Sequence, residues 1–302
     1  MAFWSKKKEL KQEDPPQQAP KPANTKGQTQ ALGRVQNILA VAAGKGGVGK
    51  STVSIQLAEA LQGQGYKIGI LDADIHGPSV PIMLSCARPS EMREELIVPP
   101  THNGIKIISP AMFSSQGAHI MRGPMAANFV RQLLSQTDWG ELDVLIIDYP
   151  PGTGDIQLTL SQSCNITAAL MVSSPQELAL ADVRKACQMF ETLKVPLLGF
   201  VETMSWFVCD SCEKKHFIFK NGGVNRLAQE TGVPLLGQIP LHPHITESGD
   251  SGQSLLELHP KSPETEAFLE LSEAVMKELK LLKHLRKDGL ASFSLKWQEA
   301  SA

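Results

Sequence analysis

Gly44-Lys45-Gly46-Gly47-Val48-Gly49-Lys50-Ser51-Thr52 decides how this chain folds. The stretch fits the phosphate-loop pattern G-x-x-x-x-G-K-[ST], with Gly44, Gly49, Lys50 and Ser51 in the required places. Glycines let the backbone curl so that successive N–H groups point inward at an anion. A helix starting near Lys50 adds its positive N-terminal end. In such a loop the lysine ammonium reaches the β- and γ-phosphates of a nucleoside triphosphate, and the Ser51 hydroxyl ligates Mg²⁺. The flanks agree with this reading. Ile38-Leu39-Ala40-Val41-Ala42 reads as a buried parallel strand, and Thr52 to Leu61 as a helix with Val53, Leu57 and Leu61 on one face.

From about residue 36 onward, strands and helices alternate. Ile68–Asp72, Ile105–Ser109, Val144–Asp148, Ala168–Val172, Leu197–Val201 and Leu235–Ile239 read as strands. Ala126–Ser135, Glu177–Leu193 and a stretch near 264–286 read as helices. Repeated β-α units with apolar strands predict an α/β fold, a mostly parallel sheet with helices on both faces. Ligands bind such sheets at the carboxyl ends of the strands. The phosphate loop, Asp72 and Asp148 all fall at strand C-termini and are expected to converge.

Two acidic stretches frame that point. Asp148-Tyr149-Pro150-Pro151-Gly152-Thr153-Gly154-Asp155 follows an apolar strand, and an Asp there holds Mg²⁺ together with the loop serine. Asp72-Ala73-Asp74 follows another strand. Asp72 is assigned to the Mg²⁺ shell, and Asp74 to orienting or deprotonating the attacking water. Gly152 is a candidate to bring a backbone N–H to the γ-phosphate.

Composition bounds the rest. The chain has 302 residues, 42% hydrophobic and 20% charged, ordinary for a globular protein with a real core. A formal net charge of −2 does not point to nucleic acid. No run approaches the ~18 apolar residues of a membrane span. Met1-Ala2-Phe3-Trp4-Ser5-Lys6-Lys7-Lys8 lacks the apolar core of a secretory signal, so a cytoplasmic location is expected. Residues 1–33 read as a polar, Pro-rich tail that cannot offset its ordering entropy. Residues 34–286 read as the nucleotide-binding domain and 287–302 as a C-terminal tail.

The five cysteines, an odd number in a chain without a leader, argue against a disulfide framework. Cys164 and Cys187 read as core fillers, and Cys86 receives no role. Cys209-Asp210-Ser211-Cys212 is a lone C-x-x-C, too few ligands for one tetrahedral site. A two-fold dimer would supply four thiolates, which suit Zn²⁺ or a [4Fe–4S] cluster alike. His216 is a possible further ligand, although a surface neighbour is the commoner role. His242-Pro243-His244 follows Ile239-Pro240-Leu241 at a loop expected on the nucleotide side. The two histidines invite a metal reading, to which the loop reading is preferred.

Taken together, these segments resemble the Mrp/ApbC-type iron–sulfur cluster carrier ATPases. That family lies within the deviant-Walker-A class that also holds MinD, ParA and the nitrogenase iron protein. The resemblance rests on the phosphate loop with its extra Lys45 and on Leu71-Asp72-Ala73-Asp74-Ile75-His76-Gly77-Pro78-Ser79. It rests also on the 148–155 stretch, Cys209-Asp210-Ser211-Cys212, Met121-Arg122-Gly123-Pro124 and Gly237-Gln238-Ile239-Pro240-Leu241. It covers roughly residues 36–280. It implies an ATP-hydrolysing homodimer in which Lys45 reaches the partner's phosphates, much as an arginine finger does. It implies that the two cysteine pairs bridge a labile [4Fe–4S] cluster, received from cluster donors and handed to apoproteins under control of the nucleotide. Thr203 replaces the usual Asn expected near the base, and Tyr149 a common Met. Many bacterial members also carry a small N-terminal domain, so any docking it performs is expected to be absent here or supplied by another chain.

Two other readings use the same segments. A MinD/ParA-like positioning ATPase would have no need of Cys209 and Cys212. A zinc-bridged ATPase dimer would use the same thiolates with a different metal. The basic, amphipathic run Met276–Arg286 could lie on a membrane, but packing of its apolar face on the sheet is the preferred reading, without stable membrane insertion.

Overall fold

The computed structural model describes residues 34–86, 92–93, 96–113, 123–209 and 211–287, together with Leu32, Leu295 and Trp297. The expected tails over 1–33 and 287–302 otherwise lie outside the described residues, as do Met121-Arg122 and Asp210. In chain order the elements are β1 (Val35–Ala43), α1 (Lys50–Gly63), β2 (Ile68–Asp72), α2 (Val80–Met83), β3 (Met92–Arg93) and β4 (Leu96–Ile97). Next come β5 (Thr101–His102), β6 (Ile105–Ile108), α3 (Gly123–Gln136), β7 (Leu142–Asp148), α4 (Asp155–Ser163), β8 (Ala168–Ser173) and α5 (Glu177–Thr192). The last are β9 (Leu197–Glu202), β10 (Phe207–Val208), β11 (Lys215–His216), α6 (Gly223–Thr231), β12 (Leu235–Gln238), α7 (Pro243–Ser251), α8 (Leu255–Leu258) and α9 (Pro263–Lys287).

One sheet carries the strands in the order β12-β9-β8-β1-β7-β2-β6-β5. Neighbours run parallel except at the edge, where β5 pairs antiparallel with β6. The α/β class expected from the sequence is the one observed. β1 lies between β7 and β8, so the chain leaves the centre of the sheet directly into the phosphate loop.

Strand alternation divides the core into two layers. Ile38, Ala40, Ala42, Leu145 and Ile147 face α3, α4, α5 and α6. Leu39, Val41, Ala43, Val144 and Ile146 face α1 and α9. α1 is caught between the sheet and α9, so Val53 through Leu61 are all buried rather than only one face. Phe268, Leu271, Val275, Met276 and Leu279 of α9 are buried in the same layer. Of the basic run Met276–Arg286, Met276 and Leu279 pack there and Leu282 is partly buried, so the preferred packing holds for its first part, whereas Leu281 and Leu285 within the run stand exposed. Leu295 returns to the core, with its N–H donating to Glu191 Oε1 at 2.8 Å. No described helix is long and apolar enough to cross a membrane.

The sequence reading omitted α4, α6, α7 and the β10–β11 hairpin. The helices are nine residues each, and α4 and α6 begin directly after Gly154 and Gly222, so glycine-rich stretches conceal their starts.

Candidate functional site

The phosphate loop leaves the carboxyl end of β1 and is pressed against α5. A Cβ on Gly44 would lie 2.2 Å from the carbonyl carbon of Asp182 and 2.4 Å from the Val183 nitrogen, so only glycine fits. Gly49 has φ +79°, a left-handed conformation that turns the chain into α1 without a side-chain cap. Gly46 and Gly47 are exposed at the crest of the loop, whereas Val48 is buried. Thr52 follows Ser51 in the first turn of α1. Lys45 extends its Nζ to within 3.4 Å of Gln176 Oε1, the residue that opens α5.

Sheet register brings the acids together. Asp72 and Asp148 are paired positions on the adjacent parallel strands β2 and β7. Both are withdrawn from solvent. Asp148 Oδ1 lies 2.6 Å from Lys50 Nζ, and its Oδ2 accepts the Ser51 hydroxyl at 2.6 Å. Among the described residues, no cation forms an ion pair with Asp72. Burial, and then the neighbouring Asp148 carboxylate, push its pKa above the ordinary carboxylate range. Its oxygens accept the Asp74 N–H at 3.1 Å and the Ser109 hydroxyl at 3.0 Å. Asp74 is only half-buried, and its Oδ1 accepts the Gly77 N–H at 3.1 Å. The Gly152 N–H donates to Ala43 O at 3.3 Å, tying the segment after β7 to the end of β1.

Side chains outside the motifs complete the site. Ser54, one turn beyond Ser51, places its hydroxyl 2.7 Å from Asp148 Oδ1. Helical spacing from Ser51 was the signal that could have found it. Thr203 lies buried beneath the phosphate loop and donates to Val48 O at 2.6 Å. Glu202 beside it is buried and accepts from Ser205 Oγ, Gln238 Nε2 and the Val224 N–H. No local pattern announced either role, because apart from Ser205 their partners lie 22 to 155 positions away.

The segment after Thr203 leads directly to the cysteines. Ser205 N–H donates to Ile239 O at 3.0 Å and Leu241 N–H to Trp206 O at 2.8 Å, fastening its root to the chain after β12. The Lys215 ammonium sits 4.1 Å from the centre of the Trp206 ring. At the tip of the β10–β11 hairpin, Cys209 N–H donates to Lys214 O and Glu213 N–H returns to Cys209 O at 2.8 Å. This turn brings the Cys209 and Cys212 sulfurs and one His216 ring nitrogen within 4.8 Å of one another. The other three thiols are unlike these. Burial pushes Cys86 up to about 11 and Cys164 and Cys187 up to about 12, so they stay protonated and are poor ligands.

The loop reading of His242-Pro243-His244 is corrected: His242 is the N-cap of α7, and Pro243 and His244 are its first residues. Proline at the first helical position costs no hydrogen bond, which is why the helix starts there.

A phosphate loop at the centre of a parallel sheet, strand-end acids beside it and an exposed C-x-x-C hairpin form one combination. The family model described as ParA, NUBPL iron-transfer P-loop NTPase, matches residues 34–276. The chain belongs to this family. An iron-sulfur cluster carrier protein of Haemophilus influenzae is 47% identical over 252 residues, 82% of this chain and 68% of that one. An iron-sulfur protein required for NADH dehydrogenase, mitochondrial, from Arabidopsis thaliana is 42% identical, covering 82% and 80% of the two chains. Among solved structures, a nucleotide-binding protein from Archaeoglobus fulgidus in complex with ADP matches with TM-score 0.69 and 34% identity, over 82% and 98% of the chains. The Pyrococcus furiosus cell division ATPase MinD shares the fold at TM-score 0.62 and 22% identity, over 80% and 99%. Membership makes this chain a P-loop NTPase and accounts for the sheet order and the lysine-rich loop together.

Proposed function

We propose that the chain is an ATP-dependent iron–sulfur cluster carrier, working as a homodimer in which Cys209 and Cys212 of two copies hold one [4Fe–4S] cluster for delivery to apoproteins. One observation carries this reading. Thr203 touches the phosphate loop, and six residues later the same segment reaches Cys209, so the nucleotide site and the cysteine pair share a short mechanical connection. Names of the relatives support the cargo, and the exposed hairpin tip supports transfer between proteins. Phe217 and Ile218 are exposed beside His216, apolar surface of the kind that a second copy would cover.

ATP phosphates would lie along the loop N–H groups of Gly44–Thr52 with Lys50 as their cation. The all-oxygen set of Ser51 and Asp148, with Asp72 adjacent, fits Mg²⁺, a hard cation. When bound, Mg²⁺ would supply charge neutralisation on the β- and γ-phosphates. Asp74 would orient the attacking water and accept its proton while the bond from γ-phosphorus to the ADP oxygen breaks. Lys45 would stabilise the developing charge on the partner's nucleotide. A reducing cytoplasm is the compartment this thiol chemistry suits.

The deciding experiment is anaerobic iron–sulfur reconstitution of wild type and of Cys209→Ala/Cys212→Ala, with iron, sulfide and zinc assays. A thiolate-to-iron band at about 400 nm in wild type alone, with about four irons per dimer, is expected. Stoichiometric zinc without that band would indicate a zinc-bridged ATPase. Binding of neither metal would indicate a positioning switch.

A further inference from the structure

Away from the phosphate loop and the cysteine hairpin, three histidines and two glutamates meet where the chain leaves β12. His242 caps α7, His244 and Glu247 lie on α7, His259 follows α8, and Glu264 lies in the first turn of α9. Glu264 Oε1 is 2.5 Å from His244 Nδ1 and 3.2 Å from His242 Nδ1. The Glu264 side chain is only 1% exposed, and its Oε2 makes no hydrogen bond of ordinary geometry among the described residues, the Ser262 hydroxyl and Glu264's own N–H being further donors that face the carboxylate. A carboxylate oxygen buried without a partner is costly unless something else compensates it.

The surroundings of His242 sharpen the point. Its Nδ1 also lies 3.3 Å from the His244 backbone nitrogen, a long capping contact that ligation of an ion through the same lone pair would replace. The same lone-pair nitrogen faces Glu264 Oε1 at 3.2 Å. The bare nitrogen and the carboxylate so placed repel unless a proton or a metal cation joins them. Nitrogen and oxygen ligands around a tetrahedral ion stand about 3.3 Å apart, from bond lengths of about 2.0–2.1 Å. The His242–Glu264 separation matches this, and the shorter His244–Glu264 contact would open slightly. The His242 and His244 rings are inclined at 58°, so their nitrogens can converge on one point. His259 stacks on His244 at 3.5 Å with 9° between the planes, and its Nε2 lies 3.1 Å from Glu247 Oε2. The parallel stack prevents His244 and His259 from sharing one ion in plane, so His259 and Glu247 hold the His244 ring in position from outside.

We propose that His242, His244 and Glu264 form a binding site for one divalent transition-metal ion of the zinc class, separate from the cysteine pair and from the phosphate loop. An imidazole–carboxylate set suits Zn²⁺ or Co²⁺ rather than Mg²⁺. An ion there cross-links the exit of β12 to the start of α9. Through the Leu241–Trp206 hydrogen bond it also braces the root of the cysteine hairpin.

The test uses the full chain carrying Cys209→Ala/Cys212→Ala, so that thiolates do not compete. Co²⁺ titration is expected to give one ion per chain, with tetrahedral d–d absorption and no thiolate charge-transfer band. Zn²⁺ should displace it and raise Tm. His244→Ala and Glu264→Gln should each weaken binding at least tenfold. His242→Asn, which keeps a capping acceptor, should do the same with an unchanged circular dichroism spectrum, and it decides the matter if Glu264→Gln does not fold. Failure to bind Co²⁺, or equal binding in the folded variants, would overturn the site.

Discussion

The Thr203 hydroxyl donates to the carbonyl oxygen of Val48 at 2.6 Å, joining two residues 155 positions apart. Thr203 opens the segment that ends at Cys209, and Val48 forms the inner wall of the phosphate loop. The hydrogen bond therefore ties the phosphate loop directly to the segment that leads to the cysteines. Gly49 confirms the close fit: a Cβ there would lie 3.7 Å from Thr203 Cγ2.

Thr203→Val keeps the shape and removes the hydroxyl, leaving a buried carbonyl without its donor. A loss of about 1–2 kcal/mol in stability is expected. ATP affinity should fall several-fold although Thr203 need not touch ATP. Thr203→Ser should restore both in thermal melts and calorimetric titration. Unchanged affinity in Thr203→Val would break the link drawn between the loop and this segment.

The two lysines of the loop should separate in function. Lys50→Ala is expected to abolish nucleotide binding, and it also strips the buried Asp148 of the ammonium 2.6 Å away. Lys45→Ala loses only a long contact to Gln176, so binding should survive. Hydrolysis in Lys45→Ala should drop by roughly a hundredfold or more, the scale of a lost charge-stabilising finger. Full hydrolysis in that variant would remove the cross-dimer role.

Gly44→Ala tests the packing of the loop on α5. The added methyl would sit 2.2 Å from backbone at Asp182, and backbone cannot rotate aside as a side chain would. Loss of nucleotide binding with a melting point several degrees lower is expected, since overpacking costs about 1–3 kcal/mol. Retention of wild-type Tm and affinity would mean that α5 yields without cost.

A pH effect is expected from Glu59 on α1. Burial raises its pKa from 4.5 to about 7, with the Ser254 hydroxyl opposing and Glu257 adding to the rise. A raised carboxyl favours the protonated folded form. Its contribution is complete below pH 4.5 and is lost as pH climbs through 7. Glu59→Gln cannot ionise and still accepts from Ser254. The variant should be more stable than wild type at pH 8 by up to about 3 kcal/mol, converging below pH 5. Parallel stability profiles for the two proteins would contradict the raised pKa.

Much of the fold was legible in order and type. Each long strand read from an apolar run lies where expected, because a strand buried on both faces has little choice of composition. β2 matches residue for residue, ending on Asp72. Short helices following glycines were not legible, since their stability comes from packing rather than propensity. Of the site, the phosphate loop, the strand-end acids and the cysteine pair were all named from spacing. Ser54, Ser109 and Glu202 were not, Thr203 was singled out only through the resemblance and for a place near the base, and His242-Pro243-His244 was assigned to a loop.

The amino-acid sequence by itself determined the local chemistry: a loop that cradles phosphate, acids at the ends of apolar strands, and two thiols one turn apart. These depend on a few neighbouring residues and survive in any context that forms the strand and the helix. Tertiary structure alone decided the couplings. Parallel register set Asp72 beside Asp148, and burial, with that neighbouring carboxylate adding to it, raised the pKa of Asp72. Packing of the chain after β9 placed Thr203 beneath the phosphate loop. The meeting of three helices buried Glu264 against His242 and His244. Such contacts join residues distant along the chain, and their energies depend on burial and direction, which no local spacing encodes.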